Sequence, residues 1–275
     1  MGWFGKRDAK PETAPTPPAS PPPAPATPAR AAPRAATPAD RPPPPSLPGS
    51  DEVRLAEIGA IVRARLDSNP AVTHLAVPDL ELYAVRDFLS PEERAGLIAL
   101  IDADVKPSTS LRQQGAARSR TSETCLLSAD HPLVAAVEAR IAELIGQPLD
   151  HSETVQGQRY SPGQQFKVHN DYFAAGQYYS EAVASEGGQR TWTAMAFLDR
   201  PEKGGHTHFP LVPIAVPPTP GVLLLWNNMD RDGRPNRRSH HEGMMVEAGV
   251  KRVLTKWFRE RTWMGSAASD ALRRV

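Results

Sequence analysis

Apolar positions just after residue 50 recur every three or four residues, a spacing typical of a helix that buries one face. These positions are Leu55, Ile58, Val62 and Leu66. Ser50 is the predicted N-cap, and Asp51 and Glu52 in the first turn favour the same start. We expect this helix to end at Asn69-Pro70, because proline disfavours a helical conformation at the residue before it.

Two further helices are predicted before residue 150. The segment Ser90-Pro91-Glu92-Glu93 is a capping box with proline at the first helical position, and it precedes Leu97, Ile98 and Ile101 on one face. An extended segment, residues 80–88, comes before it. The third helix should start at Asp130 and stop at Gly146, with Leu133, Val137, Ile141 and Leu144 on its apolar face.

The pattern changes to short strands after residue 153. Turn signals such as Ser161-Pro162-Gly163, Gly204-Gly205 and Asp232-Gly233 separate them. The predicted strands are 153–160, 165–171, 190–198, 221–227, 239–247 and 250–259. Helices followed by many short strands predict an α+β fold, a double-stranded β-helix (jelly roll) core supported by N-terminal helices.

Composition divides the chain of 275 residues near residue 50. More than half of the 30 prolines lie in the first 50 residues, among Ala, Thr and Ser. Such a segment buries little apolar surface, which predicts a disordered Pro/Ala-rich tail over residues 1–49. The expected organisation is then a helix and linker over 50–77, a main folded domain over 78–262 and a C-terminal tail over 263–275.

Charge and cysteine content restrict the partners and the compartment. The 32 Lys and Arg nearly balance 31 Asp and Glu, so overall charge does not indicate a nucleic-acid partner. Cys125 is the only cysteine and lies among apolar residues, which favours a small buried side chain over a nucleophile. Without a signal-peptide pattern or a run long enough for a transmembrane segment, we expect a cytoplasmic protein. The sequence does not indicate the oligomeric state.

A candidate metal site is formed by His169-Asn170-Asp171 and the later His240-His241-Glu242-Gly243. Side chains two residues apart on a strand point the same way, so His169 and Asp171 can bind one ion. A second imidazole from a distant strand would complete the two-histidine, one-carboxylate triad of non-haem iron oxygenases. His-x-Asp alone is a weak signal, and it is the distant histidine pair that strengthens it.

Lys251, ten residues after His241, opens a strand-like segment. Lys251, Val253, Thr255 and Trp257 share one face of it. A lysine buried in an apolar barrel is costly unless it meets an anion, and the far carboxylate of a 2-oxo acid would supply one. The alternative is a solvated turn residue after Gly249.

Taken together, these residues resemble the prolyl-4-hydroxylase family of iron(II)/2-oxoglutarate dioxygenases. The resemblance runs from about residue 78 to 260. It depends on ordered blocks: Asp87-Phe88-Leu89-Ser90-Pro91-Glu92-Glu93, Ser119-Arg120-Thr121-Ser122, Arg159-Tyr160-Ser161-Pro162-Gly163-Gln164, His169-Asn170-Asp171-Tyr172-Phe173, Gly187-Gly188-Gln189-Arg190, Gly204-Gly205-His206-Thr207-His208-Phe209-Pro210, His241-Glu242-Gly243, Gly249-x-Lys251 and Thr255-Lys256-Trp257.

The resemblance implies roles for individual residues. His169, Asp171 and His241 would hold Fe(II), and Lys251 would hold the far carboxylate of 2-oxoglutarate. Tyr160, Thr193 and Trp257 would line the co-substrate pocket or the metal centre. Glu153, Arg190, Tyr178 and Tyr179 are the residues expected near the substrate. The cofactors implied are Fe(II), 2-oxoglutarate and O₂, with ascorbate as reductant.

The chain also departs from the family pattern. His206 replaces a glutamate in the Gly-Gly turn, and His206-x-His208 is either a polar turn pair, which is favoured, or a metal site. His240 is expected to point outward as the strand neighbour of His241. The segment 174–186 is predicted to be a loop that could act as a lid over the substrate.

The sequence leaves the substrate open. Peptidyl proline is the expectation that the resemblance supplies, and a free amino acid or another small molecule is the alternative. Two histidines and a carboxylate also suit a zinc hydrolase. A non-catalytic jelly-roll binding module is the third alternative, although an intact ligand set is not expected there.

Overall fold

A computed structural model describes residues 41–108, 119–177 and 179–263. The chain divides into two units, Met1–Ala35 and Ala36–Val275, and every described residue belongs to the second. Leu47 is buried there against Phe173, Tyr179 and Val183. The contacts of the folded region therefore begin before the boundary predicted at residue 50. The predicted tails over residues 1–40 and 264–275 lie outside the described residues.

The three predicted helices are present, with adjusted starts. They are α1 (Glu52–Ser68), α2 (Pro91–Asp104) and α3 (Pro132–Ile145). The cap of α1 is Asp51, because Ser50 donates its hydroxyl to Glu260 instead. The capping box of α2 is confirmed. His131, rather than Asp130, caps α3, which ends as predicted at Gly146 with a positive φ of 74°.

A fourth helix, two short 3₁₀ helices (Leu149–His151 and Arg237–Ser239) and fourteen strands complete the described elements. The predicted loop over 174–186 contains α4 (Ser180–Ser185), so the loop prediction was wrong for those residues. The strands are β1 (Val72–His74), β2 (Leu82–Val85), β3 (Lys106–Pro107), β4 (Glu123–Leu126), β5 (Gln156–Tyr160), β6 (Phe166–His169), β7 (Arg190–Phe197), β8 (Lys203–Gly204), β9 (Thr207–Phe209), β10 (Ile214–Val216), β11 (Leu223–Asn227), β12 (His241–Gly243), β13 (Val246–Ala248) and β14 (Lys251–Arg259).

These strands form two main antiparallel sheets. The major sheet has the order β1-β2-β11-β7-β14-β5-β4-β3, and the minor sheet has the order β10-β9-β12-β6. A two-stranded ribbon, β13-β8, completes the set. The segment predicted as one strand over 239–247 is β12 and β13, with a break at Met244-Met245.

The major sheet separates two apolar cores. Its outer face packs on α1, α2 and α3 through residues such as Val62, Val137 and Leu254. Its inner face meets the minor sheet through Phe197, Trp226 and Phe209. This layered arrangement is the helix-supported jelly roll expected from the sequence. No helix among the described residues is both long and apolar enough to span a membrane.

A buried ion pair joins the helix layer to the major sheet. Lys256 of β14 donates to Glu138 of α3 at 2.6 Å, and each residue is 3% exposed. Lys256 also donates to the Glu153 carbonyl. Burial lowers the pKa of Lys256, while the Glu138 carboxylate opposes that shift. Each charge therefore depends on the other for compensation in the core.

Glu138→Leu should lower the free energy of unfolding by about 3–5 kcal/mol, because it leaves a buried ammonium without its carboxylate. The double variant Glu138→Leu/Lys256→Met should recover most of that loss in urea denaturation. Glu247→Leu is the control, since its partner Lys203 is exposed and such pairs contribute less than about 1 kcal/mol. A double variant no more stable than the single one would contradict this account.

Candidate metal centre and co-substrate pocket

His169, Asp171 and His241 meet at one end of the minor sheet. Their ligand atoms all lie within 4.8 Å of one another. His169 Nε2 is 3.8 Å from Asp171 Oδ1, and His241 Nε2 is 3.8 Å from Asp171 Oδ2. Within the described part of the chain, this is the one group of three such side chains close enough to share an ion.

The backbone brings these residues together differently from the expected single strand face. β6 ends at His169, so Asp171 lies in the bend that follows the strand. The strand of His241 is distant in sequence but hydrogen-bonded to β6, and His241 lies directly opposite His169 in the register. Cross-strand pairing therefore sets the imidazole positions.

Hydrogen bonds at Nδ1 fix which imidazole nitrogen is free for a metal. His169 Nδ1 is 2.9 Å from the Lys167 carbonyl, and His241 Nδ1 is 2.9 Å from the Ser239 carbonyl. A carbonyl only accepts, so Nδ1 carries the hydrogen and Nε2 presents its lone pair. Stacking on Phe166, with ring centroids 3.5 Å apart, further fixes the His169 ring.

The protonation states suit metal binding. Burial, and then the neighbouring His241, hold the pKa of His169 well below its ordinary value, so that imidazole is neutral. Burial alone would raise the pKa of Asp171, but the two imidazoles, Arg190 and a hydrogen bond from Thr193 outweigh it and lower that pKa. The site therefore offers two imidazole nitrogens and one carboxylate, groups that bind a divalent metal ion.

A cavity lies beside the triad, between the two sheets. Its empty volume is about 390 Å³, part of it open to solvent. Its walls include the alternate residues of β14 predicted to share a face, which are Lys251, Val253, Thr255 and Trp257. The neighbours of these residues in sequence, Leu254 and Phe258, face the helices, as strand alternation requires.

Lys251 is a buried cation in the wall of this cavity. The residue is 2% exposed, and no carboxylate in the described segments lies within ion-pair distance of Nζ. Nζ lies 5.4 Å from the centroid of the Tyr160 ring and 5.6 Å from the centroid of the Phe197 ring. Burial lowers the pKa of Lys251 to about 7, with Asp199 opposing the shift.

Tyr160 is the direct neighbour of Lys251, since the two residues pair across β5 and β14. Its hydroxyl donates to Gln158 Oε1 at 2.8 Å. Thr207, which the sequence analysis did not single out, also lines the cavity. Its buried hydroxyl has no hydrogen-bond partner among the described residues. The signal for it was the Gly-Gly-x-Thr pattern already noted at the turn.

Thr193 lies elsewhere than the sequence implied. Its hydroxyl donates to Asp171 Oδ2 at 2.8 Å, so its one hydrogen is already used by the carboxylate. It is also absent from the cavity wall that contains Lys251. Thr193 was predicted to line the co-substrate pocket, but in the structure it contacts Asp171, the predicted metal ligand.

Glu153 and Arg190 form a half-buried ion pair rather than two free substrate contacts. Arg190 donates twice to Glu153 at 2.6 Å, and Arg259 donates to the same carboxylate at 2.9 Å. Burial would raise the pKa of Glu153, but the two guanidinium groups lower it. Arg190 in turn lies 4.2 Å over Trp257 and 4.8 Å over Phe173. The pair thus orders the aromatic wall beside the triad.

Tyr179, one of the two tyrosines predicted near the substrate, is not exposed. Tyr179 is buried against Phe173, with ring centroids 6.0 Å apart, because it belongs to the cluster around Leu47. That position corrects its predicted role in substrate contact. Tyr178 lies outside the described residues.

The other histidines of the region do not join the triad. His208 Nδ1 pairs with Glu242 at 2.7 Å on neighbouring strands of the minor sheet. His206 and His208 belong to no metal-binding group among the described residues. The ring of His240 lies edge-on to that of Tyr172, with the ring centroids 5.8 Å apart. The predictions for His206 and His208 as a polar turn pair and for His240 as an outward neighbour stay predictions.

Arg120 is a second buried cation near the centre. Its guanidinium lies 4.9 Å over the Phe166 ring that stacks on His169. It donates to Ser122 and Gln156, and no ion pair with a carboxylate is present in the described ranges. Its Arg-Thr-Ser motif belongs to the family resemblance, which implied no role for Arg120.

The residues fit the Fe(II) and 2-oxo acid implied by the sequence. Two free Nε2 atoms and one carboxylate match a facial triad that leaves coordination positions open. Lys251, without a carboxylate partner, and Thr207, with an unpartnered hydroxyl, lie in the adjoining cavity. A dicarboxylate would satisfy both groups, whereas a zinc hydrolase would not need a cation there.

Comparisons with known proteins agree with this geometry. A family model described as the 2OG-Fe(II) oxygenase superfamily matches residues 155–259, which include the triad and Lys251. Prolyl 4-hydroxylase 1 of Arabidopsis thaliana is 34% identical over 200 residues, covering 66% of this chain and 69% of that protein. Prolyl 4-hydroxylase subunit alpha-2 of Gallus gallus is 28% identical over 190 residues, but this chain spans only 31% of it.

A solved structure shares the fold. The viral collagen prolyl hydroxylase of Paramecium Bursaria Chlorella virus-1, in its 2OG complex, has a TM-score of 0.51 and 24% identity. The match covers 65% of this chain and 95% of the viral protein. The jelly-roll prediction is therefore confirmed. By its identity to the Arabidopsis enzyme over two thirds of that protein, this chain belongs to the prolyl 4-hydroxylase family of Fe(II)- and 2-oxoglutarate-dependent dioxygenases.

Proposed function

We propose that this dioxygenase hydroxylates prolyl residues in a peptide or protein. The observation that carries the catalytic part is the convergence of three ligand groups beside a cavity containing an uncompensated lysine. The names of the relatives, which are prolyl 4-hydroxylases and a collagen prolyl hydroxylase, support the choice of substrate.

His169, Asp171 and His241 would hold Fe(II). The carboxylate supplies the one negative charge, and the two imidazoles present Nε2. With 2-oxoglutarate and O₂, iron supplies the oxidation: one oxygen atom enters a C–H bond, and the other enters the 2-oxo acid, which leaves as succinate and CO₂. The protein has to place these groups and exclude water.

Lys251 and Thr207 would bind the far carboxylate of 2-oxoglutarate. An ammonium-carboxylate hydrogen bond is about twice as strong as a neutral one, and it would compensate the buried charge. The unpartnered Thr207 hydroxyl can donate to the same group. Tyr160 forms the adjoining wall.

Trp257 would be a wall of the substrate site. Its ring lines the cavity beside the triad, and the Arg190 guanidinium lies 4.2 Å from the ring centroid. Proline-rich segments dock on aromatic surfaces because they are extended and preorganised. Glu153 and Arg190 then act on the substrate through the ring that they hold.

Ascorbate as a reductant and a cytoplasmic location are also proposed.

The substrate is tested by succinate release from 2-oxoglutarate with Fe(II) and ascorbate, using proline-containing peptides and free amino acids. A peptide substrate should raise succinate release above the uncoupled rate and gain one oxygen atom on proline by mass spectrometry. Stimulation by free amino acids alone would replace the peptide proposal with the small-molecule alternative.

Asp171→Ala and His241→Ala should each lose tight metal binding and at least about 100-fold of turnover, because each removes a direct ligand. Metal affinity is measured with Co(II) by equilibrium dialysis, alongside succinate release. His208→Ala is the matched control, since this histidine pairs with Glu242 on the same sheet. An Asp171→Ala enzyme that still forms succinate in response to substrate would refute the ligand assignment.

Lys251→Met should raise the Michaelis constant for 2-oxoglutarate about 10–100-fold, the loss expected for a charged hydrogen bond. In the wild type this constant should also rise as pH increases above about 7, because the Lys251 ammonium that meets the carboxylate is lost. The Lys251→Met enzyme should lack that pH dependence.

The same substitution should stabilise the protein without its ligand. Between pH 7 and the ordinary pKa of lysine, Lys251 is protonated more fully in the unfolded chain than in the core. The free energy of unfolding therefore rises with pH above about 7. Lys251→Met should remove this dependence and raise the free energy of unfolding at pH 7 by about 2–4 kcal/mol, at about 1.4 kcal/mol per pKa unit. Lys106→Met, at an exposed lysine, is the control. Equal effects of the two substitutions would disprove the buried-charge role.

A further inference from the structure

The carboxylate of Asp171 is held by two buried polar side chains behind it. Thr193 Oγ1 donates to Asp171 Oδ2 at 2.8 Å, and Asn228 Nδ2 donates to Thr193 Oγ1 at 2.9 Å. Thr193 and Asn228 are both fully buried. Thr193 lies on β7 of the major sheet, and Asn228 follows the last residue of β11.

The number of hydrogens that each group can donate fixes the direction of these hydrogen bonds. An ionised carboxylate only accepts, so the single hydroxyl hydrogen of Thr193 must point to Asp171. Thr193 can then only accept from Asn228, which requires the amide nitrogen rather than the oxygen at that position. Asn228 therefore sets the hydroxyl, and the hydroxyl sets the carboxylate.

Asn228 keeps this position at a cost. Its Oδ1 is buried without a hydrogen-bond partner in the described chain. A buried acceptor without a partner is unfavourable, and an apolar side chain of similar size would avoid that penalty. An amide here is not explained by packing, which points to a requirement for its N–H group.

The backbone of Asn228 also reaches the segment that carries His241. Its carbonyl accepts from the Asn236 amide at 2.9 Å. Asn236 caps the 3₁₀ turn Arg237–Ser239, and its own carbonyl accepts from the Ser239 amide and hydroxyl. The Ser239 carbonyl then accepts from His241 Nδ1. One chain of hydrogen bonds thus runs from Asp171 to His241 through Asn228.

We propose that Thr193 and Asn228 are positioning residues that preorganise Asp171 and His241 for metal binding. The inference rests on the proposed metal centre. Asn228 holds Asp171 through its amide group and His241 through its backbone carbonyl, so the two ligands keep a fixed separation before an ion arrives. Thr193 occupies Oδ2 and leaves Oδ1 without a hydrogen bond from any described residue.

The test measures Co(II) affinity by titration without 2-oxoglutarate or O₂, together with the visible spectrum of the bound cobalt. Thr193→Val and Asn228→Leu should each weaken binding about 10-fold, the lower end of the range for groups that orient ligands, and should change the spectrum. Thr193→Ser retains the hydroxyl and should bind like the wild type. Asn228→Leu removes the unpartnered acceptor, so its urea midpoint should be unchanged or higher.

Thr191→Val is the matched control. Thr191 lies two residues from Thr193 on β7, is equally buried and donates to the Phe258 carbonyl rather than to Asp171. It should lose stability without losing cobalt affinity. Equal affinity in wild type, Thr193→Val and Asn228→Leu would overturn the inference, as would an equal loss in Thr191→Val.

The outcomes also separate this inference from the proposed function. A wild-type protein that binds no cobalt at the triad would remove the metal centre itself. Tight wild-type binding that ignores Thr193 and Asn228 would remove only their positioning role. If one of the two variants does not fold, the other still tests the chain of hydrogen bonds, since either substitution breaks it.

Discussion

The metal centre depends on the antiparallel pairing of β6 with β12. That register sets His241 directly opposite His169, with their rings 4.2 Å apart. Because strand side chains alternate between faces, a slip by one residue would turn one imidazole to the outer surface. The other parts of the site fix what this pairing brings together: carbonyls set the tautomers, and Thr193 sets the carboxylate.

The site also contains buried charged side chains, whose burial is unfavourable for folding. Lys251 and Arg120 are buried cations without carboxylate partners in the described chain, whereas Lys256, at the helix interface, has Glu138. Burial lowers the pKa of Lys251 to about 7. It also lowers the pKa of Lys256, but there the Glu138 carboxylate opposes the shift and compensates the charge. Two lysines five residues apart on β14 therefore differ in role because they face opposite sides of the sheet. A charge left uncompensated on the cavity side indicates an anionic ligand.

Local patterns in the sequence were enough for α1, α2, α3 and the main strands, whereas the family resemblance was needed to choose His241 as the third ligand. The capping box at Ser90, the glycine stop at Gly146 and the alternation along β14 are each set by residues near in sequence. The short strands β8, β9 and β10 were missed because two or three residues show no period. The residues around the ligands could not be assigned in this way. Thr193 and Thr207 both face inward, and only the packing of the two sheets decides which one meets Asp171.

The ion pair of Glu153 with Arg190 and the burial of Tyr179 were hidden for the same reason. Arg259, which also donates to Glu153, is 106 residues from it in sequence. Leu47, which packs against Tyr179, is likewise distant in sequence. The most direct test of the account is anomalous diffraction from crystals of the protein with Mn(II) and 2-oxoglutarate. The account predicts one manganese peak bonded to His169 Nε2, Asp171 and His241 Nε2, with the far carboxylate of the ligand at Lys251. A peak at His206 and His208, or 2-oxoglutarate bound away from Lys251, would contradict it.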